Sequence, residues 1–283
     1  MRKFLTGLGF ALIAVGVFFS LRAAQHADPL RMSWQRYVMD GHRTGVVTPS
    51  ADNVREALGE SDGSTYLAPN GKTFKGGATP AVAKLLLDVQ PRFASLKQVI
   101  AFAPKPFLRE KPESELYDWI GDQIMKDVAR LTGRKVDVGF ANYGGVRTEL
   151  PAGDVLADDI VSMFPFKNYL CYVALRGSDL RAIFEQLARH PQIIAGARMR
   201  VRDGKIVSLE VGGKPLDDQR IYGVATIDFL LDGGDGLKIA RNARELIITQ
   251  TRMMDAMLPA VKAFGDSGQP FVYQRDGRFV IEK

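Results

Sequence analysis

The chain has 283 residues, of which 46% are hydrophobic, and a formal net charge of +6. This composition can bury a substantial core and excludes an intrinsically disordered protein, and the length allows one large domain or two small ones. Three cations, Arg2, Lys3 and Arg22, lie in the N-terminal segment, and the remainder carries +3 once they are set aside. No Lys/Arg run marks a nucleic-acid-binding stripe, so we predict that nucleic acid is not a partner.

The N-terminal segment has an apolar run, Phe4–Leu21, directly after Arg2-Lys3. A basic start followed by an apolar stretch is typical of a secretory signal peptide. A run of about 18 apolar residues is also just long enough to span a bilayer. We therefore expect residues 1–24 to be a signal peptide or an uncleaved N-terminal anchor. The protein is expected to be exported, periplasmic or on the outer face of a membrane, with a membrane contact only if the segment stays attached.

Residues 25–100 are predicted to be an irregular lead-in that packs on the following domain. The stretch up to Gly77 is rich in Gly, Ser, Asp, Asn and Pro, with turns at Pro69-Asn-Gly71 and Gly76-Gly77. Within the lead-in, Ala81–Leu87 has a helical pattern and Val99–Phe102 has the pattern of a strand. Residues 101–283 are predicted to form the main domain.

Helices and strands alternate in the main domain without a regular βαβ rhythm. Ser114 is a candidate N-cap for a helix with an apolar face, and a second helix follows Gly177-Ser-Asp. Two hairpins are predicted around the turns Asp203-Gly204 and Asp276-Gly277. Further elements are expected at Lys135–Ala141, Tyr169–Leu175 and Ile221–Ile227 as strands, and at Thr251–Phe264 as a helix. The predicted class is α+β, or mixed α/β: a single domain with a mixed β-sheet flanked by helices.

A polar, glycine-hinged turn follows the first of these strands, with the sequence Ala141-Asn-Tyr-Gly-Gly-Val-Arg147. Gly144 and Gly145 allow a close approach to the main chain. Arg147 presents a planar fork of donors that suits carboxylate or phosphate, and Asn142 has both a donor and an acceptor. The turn is therefore a candidate binding site, and the alternative is a tight turn with a surface arginine.

Two further segments combine aromatic, polar and glycine residues beside predicted strands. One is Met163-Phe-Pro-Phe-Lys-Asn168, directly before a strand, and the other is Thr226-Ile-Asp-Phe-Leu-Leu-Asp-Gly-Gly-Asp-Gly236, at the end of a strand. In chain order, the three segments read N-x-G-G-x-R, P-F-x-N and D-F-L-x-x-G-G-D-G.

This order resembles the C-terminal domain of the 5'-nucleotidase and UDP-sugar hydrolase family over roughly residues 104–283. In that family, N-G-G-G-I-R, P-F-G-N and N-F-x-x-x-G-G-D-G build the pocket for the nucleotide base and ribose. The resemblance implies that Phe166 and Phe229 hold a nucleobase between them, with Asn142, Arg147 and Asp235 as polar contacts. From the residues alone, the alternative is that Phe166 and Phe229 are core residues.

The sequence departs from the family pattern at several positions. Tyr143 and Lys167 each replace a glycine of the motifs. The family's R-x-x-E-S-x-L-G-N stretch corresponds to residues 108–118, where Arg109 lies one place from the expected arginine and Tyr117-Asp118 replaces Gly-Asn. Arg109 is nevertheless kept as a sixth candidate for substrate binding.

The family hydrolyses phosphate esters with two metal ions held by a separate N-terminal metallophosphatase domain. This sequence contains no G-N-H-E segment of the kind that carries the ligands, and its histidines are His26, His42 and His190. A two-metal site needs a cluster of Asp, His and Asn ligands, so we predict no catalytic residue, metal site or cofactor in this chain. Divalent metals are expected only on a partner phosphatase.

The resemblance thus implies a nucleotide- or nucleoside-recognition domain that acts with a separate metallophosphatase chain in nucleotide catabolism. One alternative is a solitary periplasmic nucleotide-binding protein without a catalytic role. Another is a hydrolase with an unrecognised site.

Overall fold

A five-stranded mixed sheet forms the centre of the fold in the computed structural model, which describes residue 41, residues 43–47, residue 49 and residues 52–282. Its strands lie in the order β13-β7-β12-β5-β8. Their ranges are β5 (Val138–Ala141), β7 (Tyr169–Arg176), β8 (Ile193–Ala195), β12 (Ile221–Ile227) and β13 (Glu245–Arg252). β12 pairs parallel with β5, and the other neighbouring pairs are antiparallel. The predicted mixed α/β fold with a helix-flanked sheet is confirmed.

A second sheet has the strand order β11-β10-β9-β14. It contains β9 (Ala197–Arg202), β10 (Lys205–Val211), β11 (Lys214–Pro215) and β14 (Phe279–Glu282). β9 and β10 form the predicted hairpin around Asp203-Gly204, where both residues have positive φ angles, 51° and 69°. Such angles match the twist of a two-residue hairpin turn, so this prediction is confirmed.

The prediction of a second hairpin, around Asp276-Gly277, is wrong. β14 pairs parallel with β9, and no strand forms over Phe271–Gln274. The Phe271 side chain is instead buried against Phe107, Trp119 and Phe264. The Glu113 carboxylate accepts the N–H groups of the turn, so tertiary contacts replace the expected cross-strand ladder.

The main helices are amphipathic and pack with their apolar faces inward. α3 (Glu115–Thr132) begins at Ser114, whose Oγ accepts from the Tyr117 N–H at 3.2 Å, and ends at Gly133 with a left-handed φ of 65°. α5 (Gly177–Arg189) starts where an added Cβ on Gly177 would lie 1.9 Å from the Asp217 carbonyl oxygen, so only glycine fits. The other long helix is α6 (Met253–Asp266), close to the predicted range.

The lead-in contains a small sheet that its composition did not predict, whereas α2 (Ala78–Val89) and β4 (Val99–Ala103) confirm the predicted helix and strand. A small antiparallel sheet is formed by β1 (Glu60–Ser61), β2 (Thr65–Leu67) and β3 (Thr73–Lys75), with the predicted Pro69–Gly71 turn between the last two. The lead-in also contains α1 (Val54–Leu58) and a 3-10 helix (Gln90–Lys97). In the main domain, β6 (Gly153–Leu156) pairs with β4 and leads into α4 (Ala157–Met163). Residues from Thr44 onward form one compact unit.

The expectations for the N-terminal segment fall outside the described residues. This holds for the signal peptide or anchor at 1–24 and for most of the lead-in before Arg43. Among the residues that are described, no helix combines the length and apolar character needed to cross a membrane.

Candidate functional site at one edge of the main sheet

The three predicted motif segments meet at one edge of the main sheet. β5 and β12 run parallel as neighbours, so the residues that follow them, from Asn142 and from Asp228, leave the sheet on the same side. β7 runs antiparallel to β12, with Leu170 opposite Ile227, so residues 164–168, which lead into β7, lie at that same edge. Ligand sites of sheets with parallel strands commonly form where such strands end.

Asn142 joins the first segment to the third. It is buried, and its Nδ2 donates to Oδ2 of Asp235 at 2.8 Å across 93 residues of sequence. Its Oδ1 is buried and has no hydrogen-bond partner among the described residues. A Cβ added to Gly145 would lie 2.6 Å from that oxygen, so the glycine is needed for the turn to close around Asn142.

The glycine-rich loop after β12 brings Gly234, the residue before Asp235, back against Phe229. Asp235 is exposed and has φ 47° and ψ 30°, a left-handed conformation that is uncommon for residues other than glycine. An added Cβ on Gly234 would lie 2.0 Å from the Phe229 carbonyl oxygen and 2.7 Å from its ring. The loop therefore folds back closely on Phe229, which glycine alone permits.

Both candidate aromatic residues are half exposed, with 48% of Phe166 and 44% of Phe229 open to solvent. They are not core residues, and their rings are available to a ligand. The guanidinium carbon of Arg147 lies 5.9 Å from the Phe166 ring centre, within the range of a cation–π contact. The Arg147 N–H donates to the Met163 carbonyl oxygen at 2.9 Å, which anchors the turn to the end of α4.

Arg109 also reaches this edge, despite its offset from the family pattern. Its Nη1 donates to the Arg147 carbonyl oxygen at 3.1 Å, and its N–H donates to Oε1 of Glu149 at 2.9 Å. Lys111 lies near it, with Nζ 4.9 Å from the Tyr143 ring centre. Neither these two nor Arg147 and Lys167 form an ion pair with a carboxylate of the described residues. These four cations thus lie at this edge without a side-chain ion pair, while Glu149 and Asp235 place carboxylates at the same edge.

Tyr143, which replaces a family glycine, lies on the inner side of the turn. Its ring packs on Tyr117 at 4.7 Å between centres, and its hydroxyl donates to the Pro112 carbonyl oxygen at 2.6 Å. Burial raises the pKa of this hydroxyl, so it stays a neutral donor. Its main-chain N–H donates to Oε1 of Gln192 at 2.8 Å.

Sequence reasoning missed Gln192 as a support for the turn. No motif marks this residue, because its position depends on β8. Ile193 pairs with Ala141 across the sheet, which brings the residue before β8 next to the residue after β5. Only the pairing of β5 with β8, and not the local sequence, shows that Gln192 lies beside the turn.

The described residues contain one group of three carboxylates close enough to hold a metal ion, Glu113, Asp118 and Asp276, within 4.8 Å of one another. The guanidinium of Arg278 already lies among them, with Nε 3.4 Å from Asp118 Oδ1 and 3.0 Å from Asp276 Oδ1. These residues therefore do not fit a two-metal hydrolytic centre. His190 is exposed at the end of α5, and His26 and His42 lie outside the described residues.

The family model "5'-nucleotidase, C-terminal domain" matches residues 99–242, just over half of the chain. The chain therefore belongs to the 5'-nucleotidase C-terminal domain family. It is 34% identical over 115 residues to Protein UshA of Yersinia enterocolitica, a match that covers 38% of this chain and 21% of that protein. It is 32% identical over 115 residues, with the same two shares, to a 5'-nucleotidase of Vibrio cholerae.

Solved structures show the same fold. The 5'-nucleotidase precursor of Thermus thermophilus aligns with a TM-score of 0.62 at 24% identity, covering 80% of this chain and 48% of that one. The NAD nucleotidase of Haemophilus influenzae aligns with a TM-score of 0.54 at 18% identity, covering 77% and 48%. The chain thus matches about a fifth of the length of its curated relatives and about half of the length of these structures.

Proposed function

We propose that this edge of the main sheet binds a nucleoside or nucleotide, with the base between Phe166 and Phe229. The observation that carries the proposal is the Asn142–Asp235 hydrogen bond, which joins the first and third motif segments beside two half-exposed rings. Stacking on aromatic side chains contributes about 1–3 kcal/mol per base and tolerates different bases.

The polar groups at the edge suit the rest of such a ligand. The exposed Asp235 carboxylate can accept hydrogen bonds from ribose hydroxyls, and Asn142 holds its orientation. Arg147, Arg109 and Lys111 supply positive charge and form no side-chain ion pair among the described residues, which favours a phosphorylated ligand over a bare nucleoside. Their exposure to water keeps each individual contribution modest.

We further propose that the chain supplies substrate recognition to a metallophosphatase carried on another chain, in nucleotide catabolism outside the cytoplasm. The names of the relatives and solved structures support a role in nucleotide hydrolysis. The acidic group around Arg278 does not suit a catalytic metal pair, so hydrolysis is assigned to the partner. The basic, apolar N-terminal run supports export.

Calorimetric titration of AMP, adenosine and a UDP-sugar tests the binding proposal. Phe229→Ala is expected to weaken binding of the base by about 1–3 kcal/mol while the unfolding midpoint stays unchanged. Phe93→Ala is the matched control, because Phe93 is a similarly exposed phenylalanine, 47% against 44%, outside the motif segments. Tight binding that survives Phe229→Ala in a folded protein would place the pocket elsewhere.

An activity assay tests whether this chain binds the nucleotide while a partner phosphatase hydrolyses it. The purified chain is expected to release no phosphate from nucleotides with Mg, Mn, Zn or Co, and a metallophosphatase from the same cell is expected to gain affinity for nucleotides when the chain is added. Phe229→Ala should abolish that gain. Metal-dependent turnover by the chain alone, retained after repurification, would instead identify it as a hydrolase.

A further inference from the structure

Asp118 is a buried carboxyl group without its own cation, close behind the candidate site. It is 2% exposed, and its Oδ2 has no hydrogen-bond donor among the described residues. It occupies the position where the family pattern has asparagine, directly after Tyr117, which packs on Tyr143.

The cation nearest to Asp118 is shared mainly with other carboxylates. Arg278 donates to both oxygens of Asp122, at 2.8 and 2.9 Å, and to both oxygens of Asp276, at 3.0 and 3.2 Å. Its contact with Asp118 is longer, 3.4 Å from Nε to Oδ1. Arg198, at 3.8 Å, faces Asp276 from the second sheet. Of the three aspartates around Arg278, Asp118 is thus the one that the guanidinium compensates least.

Glu113 lies beside Asp118, with carboxylate oxygens of the two residues within 4.8 Å of each other, and it is held as an acceptor. Its Oε1 accepts the N–H groups of Asp276 and Gly277 at 3.1 and 2.8 Å, and its Oε2 accepts the Phe279 N–H at 3.3 Å. Both oxygens of Glu113 therefore act as acceptors, which leaves Asp118 as the carboxyl group that can donate. When two carboxyl groups meet in a buried site, one of them keeps a proton, and here this proton falls to Asp118.

We propose that Asp118 is a positioning residue for the nucleotide site: it donates to Glu113 as a neutral acid and thereby fixes the loop on which Tyr143 rests. A neutral acid both donates and accepts, as the amide of asparagine does. Few residues separate Asp118 from the candidate site. Pro112, next to Glu113, accepts a hydrogen bond from the Tyr143 hydroxyl, and Tyr143 is next to Asn142. The proposal rests on the proposed function only where it concerns nucleotide affinity.

The charged and titratable groups around Asp118 favour its protonated form. Burial, followed by the neighbouring Glu113 and Asp276, raises the pKa of Asp118 from 3.8 to about 8, against the opposing effect of Arg278. The other titratable side chains near the group are Asp122, the hydroxyl of Tyr273, which donates to Asp122, and the hydroxyls of Tyr117 and Tyr143.

The expected pH dependence follows from the direction of this shift. Asp118 binds its proton more tightly in the folded chain than in the unfolded chain. The protonated carboxyl therefore contributes its full share of the free energy of unfolding below about pH 4, and this share is lost as the pH rises to about 8. At pH 9 about a tenth of the folded molecules keep the proton, so AMP affinity is expected to fall about tenfold from its value at pH 6.5.

Infrared spectroscopy, urea unfolding and AMP titration from pH 5 to pH 9 test the proposal on wild type and Asp118→Asn. Wild type is expected to show a protonated-carboxyl band at pH 7 that disappears near pH 8. Asp118→Asn should lack the band, lose less stability over this range and bind AMP equally at pH 6.5 and 9. Asp127→Asn is the control, since Asp127 is a buried aspartate of the same helix that pairs with Arg130 at 2.9 Å.

The outcomes separate the two proposals. If wild type has no protonated-carboxyl band at pH 7, Asp118 is ionised and the inference is overturned, a result that does not require any variant to fold. If the band is present and AMP binds with the same affinity at both pH values, Asp118 does not position the site. If the band is present and AMP binds at no pH, the proposed function fails, and positioning of the site fails with it.

Discussion

Arg278 directly precedes β14 of the second sheet and Arg147 lies in the turn that follows β5 of the main sheet, and their surroundings differ. Arg278 is buried and donates to Asp122 and Asp276, with Asp118 close by. Arg147 is exposed, and its Nη1 is 3.4 Å from the Gly144 carbonyl oxygen, with no carboxylate partner in the described residues. A buried charge must be compensated within the fold, whereas an exposed cation beside half-exposed rings remains available for a ligand.

Burial and pairing with carboxylates therefore distinguish the charges that stabilise this domain from those available to bind a ligand. The Arg278 cluster ties the C-terminal segment to α3, because Glu113 and Arg278 together hold residues 276–279 against the start of that helix. Changes there should reduce folding stability. Changes at the basic edge should alter ligand affinity and leave stability nearly unchanged.

The largest effect is expected from Arg278→Met. Removal of the guanidinium leaves the buried Asp118 and Glu113 and the part-exposed Asp122 and Asp276 without this cation, and breaking a buried ion pair costs about 3–5 kcal/mol. Urea unfolding at pH 7 measures the loss. Arg198→Met is the control, since Arg198 is exposed and 3.8 Å from Asp276, and its loss should stay within about 1 kcal/mol. Equal losses in the two variants would contradict the comparison.

An intermediate effect is expected from Arg147→Ala. Hydrogen bonds to charged groups contribute about 1.5–3 kcal/mol, so AMP binding should weaken by up to that amount while adenosine binding changes little. Calorimetry at two salt concentrations measures both ligands, and the AMP effect should shrink at high salt. Arg189→Ala, at an exposed position in the last turn of α5, is the control. If adenosine and AMP lose the same affinity, Arg147 does not contact the phosphate.

The smallest effect is expected from Asp235→Asn. An amide oxygen accepts less strongly than a carboxylate, so adenosine should lose about 0.5–1.5 kcal/mol more than 2'-deoxyadenosine does. Asp203→Asn is a close control, because Asp203 also has a left-handed φ, 51° against 47°, but lies in a hairpin turn. Paired titrations of the two nucleosides measure the difference. If both nucleosides lose the same affinity, Asp235 does not contact the ribose hydroxyl.

Local patterns predicted the elements that carry their own signals. The Ser114 cap, the apolar face of α3 and the Asp203-Gly204 hairpin are all present. The same reasoning gave the wrong result at Asp276-Gly277, although the dipeptide is identical in type to the first turn. The N–H groups of Asp276 and Gly277 donate to Glu113, 163 and 164 residues away in sequence, and no turn propensity contains that contact.

The candidate site divides in the same way. The sequence alone determined which three segments hold the polar, aromatic and glycine residues, because glycine at a tight turn and aromatic residues beside strands are local signatures. The tertiary structure decided that these segments meet, since the parallel pairing of β5 with β12 and the antiparallel pairing of β7 bring them to one edge. It also placed Arg109 beside Arg147 and left Phe166 and Phe229 half exposed. Burial and charge compensation are sums over residues far apart in the chain, so only the folded arrangement determines them.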